Sequence, residues 1–311
     1  MRVLVAGGAG FIGSYLCDAL LRRGNEVICV DNFLTSTPQN VAHLQGNSAF
    51  QMIEHDIRKP LAVDGKIDSI YNLACPASPI DYQNLPVETL ETSAIGTGNL
   101  LHLSREKNAI FLHASTSEVY GDPLEHPQKE SYFGNVNCIG VRSCYDEGKR
   151  YAESLIIHFS RQFSVKIKIV RIFNTYGPRM RKHDGRVISN FITQALANEP
   201  LALYGDGYQT RSFCYVSDMV DGILKMMDMK NFSGPVNLGN PEEISIRSLA
   251  KHVIEYTSSR SEIHTLPSSE DDPKVRRPDI TLASKKLGFS PDVSLENGLK
   301  LTIKWFTNNE D

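Results

Sequence analysis

Residues 3–13 read VLVAGGAGFIG and join a short apolar run to the start of a helical pattern. In a turn of this kind, Gly7 permits the tight bend, Gly10 lets backbone N–H groups approach a pyrophosphate, and Gly13 lets helix and strand pack closely. The stretch therefore predicts a strand–turn–helix unit that binds a dinucleotide, and a glycine-rich turn without a ligand is the competing interpretation. The candidate cofactor residues on the turn are Gly7, Gly10, Phe11, Ile12 and Gly13.

A carboxylate ends the next apolar run, Glu26–Asp31. Asp31 follows Gly10 by about 20 residues, the spacing of the residue that binds the adenosine ribose in dinucleotide folds. It can accept hydrogen bonds from both ribose hydroxyls of NAD and would repel the extra phosphate of NADP. No Arg follows within the next few residues, so NAD is the predicted cofactor. Further cofactor candidates are Asn32, Asp56, Ile57, Leu73 and Ala74; Asp56 could hold the adenine amino group or be a solvated strand-end acid.

Short apolar runs alternate with helical patterns throughout the first half of the chain. The predicted strands are Val3–Ala6, Glu26–Asp31, Phe50–Ile53, Ser69–Ala74, Ile110–Ala114 and Val165–Arg171. The predicted helices between them are Phe11–Arg23, Val87–Arg105 and Asp146–Phe163. Such alternation predicts an α/β fold with a Rossmann-like, doubly wound parallel sheet covered on both faces.

The second half is less regular. Loops rich in Gly, Pro and charge are expected at Asn174–Arg186, Tyr204–Thr210 and Ser268–Pro278. Helices are expected at Val187–Ala197, Val216–Met227, Ile246–Tyr256 and Ser294–Phe306. We therefore expect a nucleotide-binding domain over residues 1–175 and a smaller C-terminal substrate-binding lobe over 176–311. The two are interleaved, because segments near 212–240 should return to the first domain.

Composition limits the classes of partner. The 311 residues are 41% hydrophobic and 22% charged, which are ordinary globular proportions. Lys and Arg total 33 against 36 Asp and Glu, a net charge of −3, and no basic run is present. This balance disfavours nucleic acid or an anionic membrane as a partner. No secretory signal pattern or membrane-spanning stretch is visible, so a cytoplasmic location is expected.

The six cysteines, at positions 17, 29, 75, 138, 144 and 214, lack paired C-x-x-C spacing. We interpret them as reduced thiols of an intracellular protein. Cys138 and Cys144 lie near the chemistry predicted below, where each is either a packing residue or a reactive thiol. Histidines are scattered, and no cluster has the spacing of metal ligands, so no metal is predicted.

A tyrosine and a lysine are spaced as i and i+4 in the segment Ser143–Arg150. On a helix, Tyr145 and Lys149 lie on one face, so the ammonium can stabilise the phenolate. We expect Lys149 and the positive ring of the cofactor to lower the pKa of Tyr145 and make it a base. The spacing of Tyr and Lys is common by chance. Its position after the fifth predicted strand supports a catalytic role for the pair.

The fifth predicted strand leads into Ser115-Thr-Ser-Glu118. Ligands of open α/β sheets bind at the carboxyl ends of the strands, so Thr116, Ser117 and Glu118 should face nicotinamide and substrate. The alternatives are that the hydroxyls satisfy turn backbone and that Glu118 is a solvated loop acid.

Taken together, Gly7–Gly13, Ser117-Glu118 and Tyr145 with Lys149 resemble the extended short-chain dehydrogenase/reductase family, of NAD-dependent epimerase/dehydratase type. The resemblance covers essentially the whole chain. Within the family it is strongest to the UDP-glucuronate decarboxylases, over the following segments: 74–79, 115–123, 140–150, 171–179, 184–191, 209–213, 237–243 and 271–279.

This resemblance implies an NAD-dependent carboxy-lyase that converts UDP-glucuronate to UDP-xylose through a transient 4-keto sugar, with NAD accepting a hydride and returning it in the same cycle. Tyr145 would deprotonate the sugar 4-hydroxyl with help from Lys149 and from Thr116 or Ser117, and Glu118 and Arg276 would act on the glucuronate ring and its carboxylate. The uridine and diphosphate would lie among Pro79, Asn174, Arg179, Val187, Tyr204, Gln209, Arg211 and Arg276. Relatives pair through the helices that begin near Val87 and Tyr145, so a homodimer is implied.

The sequence departs from the family pattern at three positions. Ser93 replaces the Asn of the N-x-x-G-T motif, and Phe133 and Cys138 stand where Trp and Pro are expected. A 4-epimerase and a 4,6-dehydratase are alternatives on the same scaffold, although the Asp of the dehydratase Asp-Glu pair is missing between Thr116 and Glu118. A non-catalytic dinucleotide-sensing regulator is the alternative from a different class.

Overall fold

The computed structural model describes residues 1–267 and 275–309 of the chain. The strands are β1 Arg2–Ala6, β2 Glu26–Asp31, β3 Phe50–Glu54, β4 Ser69–Asn72, β5 Ile110–Thr116, β6 Ile167–Ile172, β7 Thr175–Tyr176, β8 Leu201–Tyr204, β9 Thr210–Ser212, β10 Cys214–Tyr215, β11 Val236–Leu238, β12 Glu243–Ser245, β13 Ile263–Leu266 and β14 Val275–Arg276. The α-helices are α1 Phe11–Arg22, α2 Pro79–Asn84, α3 Pro86–Glu91, α4 Thr97–Lys107, α5 Ser143–Phe163, α6 Val187–Leu196, α7 Val216–Asp228, α8 Ile246–Thr257, α9 Thr281–Leu287 and α10 Leu295–Asn308.

The central sheet has seven strands in the order β11-β6-β5-β4-β1-β2-β3. Every neighbouring pair in it is parallel. The order reverses beside β1, which places a crevice at the carboxyl ends of β1 and β4. The predicted fold class is confirmed.

Helices cover both faces of the sheet. Because neighbouring residues of a strand point to opposite sides, each strand contributes side chains to two cores. Val3 and Val5 of β1 pack in one core cluster with residues of α1 and α7. Leu4 and Ala6 of the same strand pack in a second cluster with residues of α4 and α5. Continuous apolar runs in the sequence therefore become strands covered by helices on both sides.

The helical pattern predicted over Val87–Arg105 forms three segments. Helix α3 is followed by a π-helical turn at Thr92–Gly96 and then by α4. Periodicity cannot separate a π turn from an α turn over so few residues. The helix predicted from Asp146 begins at Ser143, so Tyr145 lies inside the helix.

The C-terminal region contributes small sheets. Strand β9 is flanked by β12, antiparallel, and by β14, parallel, while β8 pairs with β13 and β7 with β10. Of the loop predicted at Ser268–Pro278, residues 268–274 lie outside the described residues, and Val275–Arg276 forms β14. The short helix α9 was not predicted, because its seven residues are too few to show a clear period.

Candidate active site

Two adjoining cavities lie at the carboxyl ends of the central strands. The larger has a volume of about 780 Å³ and the smaller about 80 Å³, and both touch Gly7, Gly10 and Leu73. The predicted residues on the larger cavity are Gly7, Gly10, Phe11, Ile12, Gly13, Leu73, Pro79, Thr116, Ser117, Glu118, Tyr145, Lys149, Asn174, Arg179, Val187, Tyr204, Gln209, Arg211 and Arg276. Those on the smaller one include Asp31, Asn32, Asp56, Ile57 and Ala74. The fold thus brings every predicted site residue to the wall of one cavity or the other.

Two glycines of the glycine-rich turn lie so close to backbone atoms that no side chain would fit. Gly7 has a φ of +76°, and a Cβ there would lie 2.8 Å from the backbone N of Ala74. A Cβ on Gly13 would lie 2.0 Å from the carbonyl oxygen of Gly7. The N-terminus of α1 that follows has neither a side-chain cap nor an acidic residue in its first turn. Its unsatisfied N–H groups fit a phosphate, so the turn and this helix would hold the pyrophosphate of NAD.

Replacing Gly13 by Ala is expected to abolish measurable NAD binding and to destabilise the protein, because the new methyl group overlaps the backbone of Gly7. Fluorescence titration with NADH and urea unfolding measure the two effects. Gly98→Ala is the matched control, since a Cβ there meets only Leu155 at 4.0 Å and alanine favours a helix. NAD binding by the Gly13 variant at the parent's affinity would contradict the assigned role of the turn.

Asp31 lies directly beneath the turn. Its Oδ2 accepts a hydrogen bond from Ala9 N (2.9 Å), and its Oδ1 accepts from Phe33 N (3.0 Å) and Ser36 Oγ (2.7 Å). An ionised carboxylate offers about four acceptor positions, so about one remains for a ligand. Binding both ribose hydroxyls of NAD, as expected from the sequence, therefore requires Ser36 to release Oδ1.

Asp56 takes part in a salt bridge beside the smaller cavity. Arg58 Nη2 lies 2.7 Å from Asp56 Oδ2, and Arg58 Nη1 lies 3.0 Å from Glu91 Oε2. Hydrogen bonds from Arg58 lower the pKa of Asp56. Asp56 is therefore ionised and already paired, a state that the sequence alone did not indicate.

Helix α5 carries the Tyr–Lys pair and is anchored to the sheet through buried polar contacts. Glu153 Oε1 accepts hydrogen bonds from Ser115 Oγ on β5 (2.6 Å) and from Arg171 Nε on β6 (2.9 Å). Arg171 Nη1 also donates to the Tyr120 hydroxyl at 2.9 Å. These bonds fix α5 against β5 and β6, so the side chains on its inner face are held in place.

Tyr145 and Lys149 lie on the same face of α5, as their spacing predicts. Lys149 Nζ is 5.8 Å from the centre of the Tyr145 ring and donates to the carbonyl oxygen of Ala114 at 2.9 Å. The Tyr145 ring stacks on Tyr82, with centroids 5.1 Å apart. The Thr116 side chain acts on the Tyr145 hydroxyl in the direction that favours the phenolate. Tyrosine, threonine and lysine therefore converge at the end of β5.

The pKa of Tyr145 is set mainly by burial. Burial raises the pKa of Tyr145 above its usual range, and the Thr116 side chain and the Arg186 charge only partly oppose this. Burial also lowers the pKa of Lys149. The protein environment alone therefore favours a neutral phenol, because desolvation of the phenolate is the largest effect. That Lys149 together with the positive ring of bound NAD⁺ lowers the pKa of Tyr145 stays a prediction.

Glu118 is held by two guanidinium groups. Arg276 contacts both of its oxygens, Nη1 to Oε1 at 2.5 Å and Nη2 to Oε2 at 2.6 Å, and Arg142 Nη2 contacts Oε1 at 2.9 Å. Burial by itself would raise the pKa of Glu118, but the charges of Arg276 and Arg142 outweigh it and lower the pKa to about 2. Glu118 is therefore an ionised, paired group rather than a solvated loop acid. A site with two cations and one ionised carboxylate suits an anionic ligand.

Several predicted substrate residues are held by neighbouring groups. Arg179 Nη2 lies 2.8 Å from Asp18 Oδ2, and its Nη1 donates to Ser14 Oγ at 3.2 Å, so this guanidinium is fixed against α1. Gln209 Nε2 donates to the Tyr204 carbonyl at 2.6 Å. Of the predicted arginines, Arg211 and Arg276 are the most deeply buried, on paired strands β9 and β14.

Sequence reasoning missed two residues of this cluster. Arg142 lines the larger cavity, and Asp146 lies next to Tyr145 on α5. Both belong to the conspicuous segment Gly140–Arg150, but the i, i+4 spacing drew attention only to Tyr145 and Lys149. Within residues 1–267 and 275–309, no helix is long and apolar enough to cross a membrane, and no group of three or more His, Cys, Asp or Glu could hold a metal ion.

Comparison with known proteins places this geometry in a family. The model of the NAD dependent epimerase/dehydratase family matches residues 3–239. The chain belongs to this family. It is 54% identical over 306 residues to UDP-glucuronic acid decarboxylase 2 of Arabidopsis thaliana, which covers 98% of this chain and 68% of the relative. It is 52% identical over 306 residues to UDP-glucuronic acid decarboxylase 1 of Danio rerio, 98% of this chain and 72% of that one. The resemblance inferred from the sequence is confirmed.

Solved structures of other family members have the same fold. The UDP-glucuronic acid 4-epimerase of Bacillus cereus, in complex with UDP-glucuronic acid and NAD, has a TM-score of 0.90 and 32% identity over 99% of both chains. The dTDP-glucose 4,6-dehydratase of Streptomyces venezuelae, crystallised with NAD, has a TM-score of 0.91 and 26% identity over 99% of this chain and 98% of that one. The prediction of NAD as cofactor is confirmed, as is the prediction that the chain is an enzyme of this family.

Proposed function

We propose that this chain converts UDP-glucuronate to UDP-xylose with release of carbon dioxide. The observation that carries the proposal is the pairing of Glu118 with Arg142 and Arg276 on the same cavity as Tyr145 and Lys149. A base beside a cationic site suits a sugar that bears both a reacting hydroxyl and a carboxylate. The 51–54% identity to curated UDP-glucuronic acid decarboxylases supports the same substrate.

Tyr145 would accept the proton of the sugar 4-hydroxyl at its phenolate oxygen, and the neighbouring Thr116 hydroxyl would donate a hydrogen bond that orients the reacting oxygen. Bound NAD⁺ supplies the hydride acceptor at the fourth carbon, and its positive ring favours the phenolate. Lys149, fixed by Ala114, would hold a positive charge beside the phenol. Because the ketone lies β to the carboxylate, carbon dioxide is lost readily, and Arg276 would stabilise the enolate oxygen or orient the ring. Protonation of the fifth carbon, return of the hydride to the fourth carbon and return of the proton from Tyr145 would then complete the xylose, so that the cycle ends with NAD⁺ as it began. Ser117 and Glu118 would position the ring from the end of β5.

The nucleotide part of the substrate would occupy the part of the larger cavity that is lined mainly by residues after position 173. The candidates there are Pro79, Asn174, Arg179, Val187, Tyr204, Gln209 and Arg211. Arg186, at the start of α6, adds a further guanidinium to the same wall. Planar guanidinium groups suit phosphate oxygens, and Tyr204 offers a ring for the uracil. This assignment goes with the proposed division into a nucleotide-binding domain over 1–175 and an interleaved substrate lobe over 176–311.

The test of the proposed function is incubation of the purified protein with UDP-glucuronate and NAD⁺, followed by mass analysis of the nucleotide sugars. Loss of the mass of carbon dioxide supports the decarboxylase. An unchanged mass with inversion at the fourth carbon, detected by NMR of the same product, identifies a 4-epimerase, and loss of water identifies a dehydratase. Unaltered substrate, with NAD still bound, would favour the non-catalytic regulator or a different sugar nucleotide.

We also propose that the protein is a homodimer. Large apolar side chains are exposed on three neighbouring segments. They are Val87 (60%) and Leu90 (41%) on α3, Ile95 (50%) on the π turn, and Tyr151 (54%) on α5. These helices pack on one another, so their exposed residues would make one apolar surface suited to a second copy.

The proposed location is the cytoplasm, because all six cysteines are free thiols.

Size-exclusion chromatography with light scattering is expected to give the mass of a dimer. Leu90→Glu should shift the protein toward the monomer mass, because a charge at an apolar interface is strongly unfavourable. Leu301→Glu, at a similarly exposed leucine on α10, is the control and should leave the mass unchanged. A monomer mass for the parent protein at micromolar concentration would contradict the dimer.

A further inference from the structure

Gln128 is a buried polar residue in the loop between β5 and α5. It is 1% exposed and lines neither of the two cavities. Both ends of its side-chain amide are hydrogen-bonded. Oε1 accepts from Arg277 N at 2.8 Å, and Nε2 donates to the carbonyl oxygen of Glu125 at 2.8 Å. Because burying an unpaired amide is costly, these two bonds hold the side chain of Gln128 in one orientation.

The bond from Arg277 N fixes the peptide group that directly follows Arg276. The N–H of this peptide group donates to Gln128, and its carbonyl oxygen, on Arg276, accepts a hydrogen bond from Ser212 Oγ at 3.4 Å. Ser212 is also 1% exposed and lies on β9, which pairs with β14. Rotation of the peptide group would break these buried hydrogen bonds and turn the backbone of Arg276. The two bonds therefore define the backbone conformation at Arg276.

The main chain of Gln128 connects this peptide group to the central sheet. Gln128 N donates to the carbonyl oxygen of Arg277 at 2.9 Å, and the carbonyl oxygen of Gln128 accepts from Asp279 N at 2.8 Å. The same carbonyl oxygen accepts from Asn237 Nδ2 at 3.0 Å. Asn237 lies on β11 and accepts a hydrogen bond from the Tyr120 hydroxyl at 2.7 Å. The residues that follow Arg276 are therefore bonded, through Gln128, to the edge strand of the sheet.

A fixed backbone matters at Arg276 because its side chain must be aligned to recognise a carboxylate. Arg276 lines the larger cavity, and its Nη2 lies 2.6 Å from Glu118 Oε2. A guanidinium binds a carboxylate most strongly when two of its N–H groups face the two oxygens. If the backbone of Arg276 turns, this alignment is lost although the positive charge remains in the site.

We propose that Gln128 is a positioning residue that directs the guanidinium of Arg276 toward the carboxylate of the bound sugar. The inference rests on the proposed function, in which Arg276 acts on the glucuronate ring and its carboxylate. Gln128 lies outside both cavities, so it acts through the backbone of Arg276. UDP-glucose has a hydroxymethyl group in place of the carboxylate, and its binding does not depend on this alignment. Gln128 therefore contributes to the preference for the anionic sugar.

The experiment measures the dissociation constants of UDP-glucuronate and UDP-glucose by calorimetry, in a Tyr145→Phe background that prevents turnover. Gln128→Met keeps a side chain of similar length but removes the acceptor of Arg277 N. The ratio of the two constants, UDP-glucuronate over UDP-glucose, is expected to rise by about tenfold, the effect of one hydrogen bond to a charged group. Affinities for UDP-glucose and NAD should stay close to those of the parent. A purely structural loss would weaken both sugar nucleotides together and leave the ratio unchanged.

Gln194→Met is the matched control. Gln194 Oε1 accepts a hydrogen bond from Ala202 N at 3.1 Å, so this variant removes the same kind of bond between α6 and β8. It should leave the ratio unchanged. A second comparison uses an Arg276→Lys background, in which the side chain has no planar fork to align. There, Gln128→Met should cause no further rise, because two residues that act through one contact are not additive.

A parent-like ratio in Gln128→Met, with NAD binding intact, overturns the inference. If the Met variant loses NAD binding, Gln128→Asn decides, because its amide is one methylene shorter and is withdrawn from Arg277 N. A parent-like ratio in the Asn variant overturns the inference as well. A full rise in the Arg276→Lys background also overturns it, since Gln128 would then act on another group.

Carbon dioxide release by the unaltered protein tests the proposed function separately. Decarboxylation together with an unchanged ratio removes only the role of Gln128. Absence of decarboxylation removes the premise that Arg276 acts on a glucuronate carboxylate, and the inference with it.

Discussion

Tyr145→Phe is expected to lower kcat for UDP-glucuronate by about a thousandfold or more, because it removes the atom that accepts the 4-hydroxyl proton. The Tyr145 ring stacks on Tyr82, and phenylalanine preserves the stacked ring. Binding of NAD and of UDP-glucuronate should therefore remain close to that of the parent. The measurement is carbon dioxide release under single-turnover conditions, with ligand binding measured by calorimetry.

The control for this variant is Tyr256→Phe. Tyr256 lies on α8 and lines neither cavity, so loss of its hydroxyl should not alter turnover. Parent-like turnover by the Tyr145 variant would show that the proton is taken elsewhere. Loss of turnover together with loss of NAD binding would indicate a structural defect. Tyr145→Trp and Tyr145→Leu would then lose NAD binding as well, so the loss of turnover could not be assigned to the hydroxyl.

Glu118→Gln is expected to reduce the free energy of unfolding by about 3–5 kcal/mol, because it leaves the buried guanidinium of Arg276 without its carboxylate. The effect should depend on pH in a defined direction. The folded-state pKa of Glu118 is about 2, below the ordinary 4.5. Its ion pairs therefore stabilise the protein fully above about pH 4.5, and this contribution, about 3 kcal/mol, is lost as the pH falls toward 2.

Urea unfolding between neutral pH and the acid limit of folding measures this dependence. The parent should lose stability more steeply than the Gln variant as the pH falls. Glu296→Gln breaks an exposed pair with Lys300 and should have little effect, since solvent screens that pair. Identical acid profiles for the parent and the Glu118 variant would show that the pair with Arg276 contributes nothing to stability.

Most of the central sheet could be predicted from local sequence patterns. Six strands and the cofactor turn were predictable, because the buried runs and the glycines at 7, 10 and 13 report local conformation directly. The end of β5 was also predictable as a polar site. Boundaries shifted by a few residues, as with β6, which begins at Ile167 rather than Val165.

What could not be predicted depends on contacts between distant residues. Glu118 and Arg276 were both named as candidates, yet their pairing is set by the placement of β14 beside β9. The direction of the Tyr145 pKa depends on burial, which the Tyr–Lys spacing does not report. Ser36 on Asp31 and Arg58 on Asp56 are likewise partners that only the folded loops bring together. The sequence therefore indicated the functional acids themselves, but it did not indicate which side chains pair with them.

The pairing of β11 with β6 has a consequence for synthesis of the chain on the ribosome. Val236 pairs with Val170, so β6 stays an open sheet edge until the segment around residue 236 has left the exit tunnel. An open, apolar strand edge can pair with other nascent chains. We therefore expect that the N-terminal half does not mature as a separate folding unit, so a protein truncated after residue 175 should aggregate during expression rather than accumulate as a small nucleotide-binding domain.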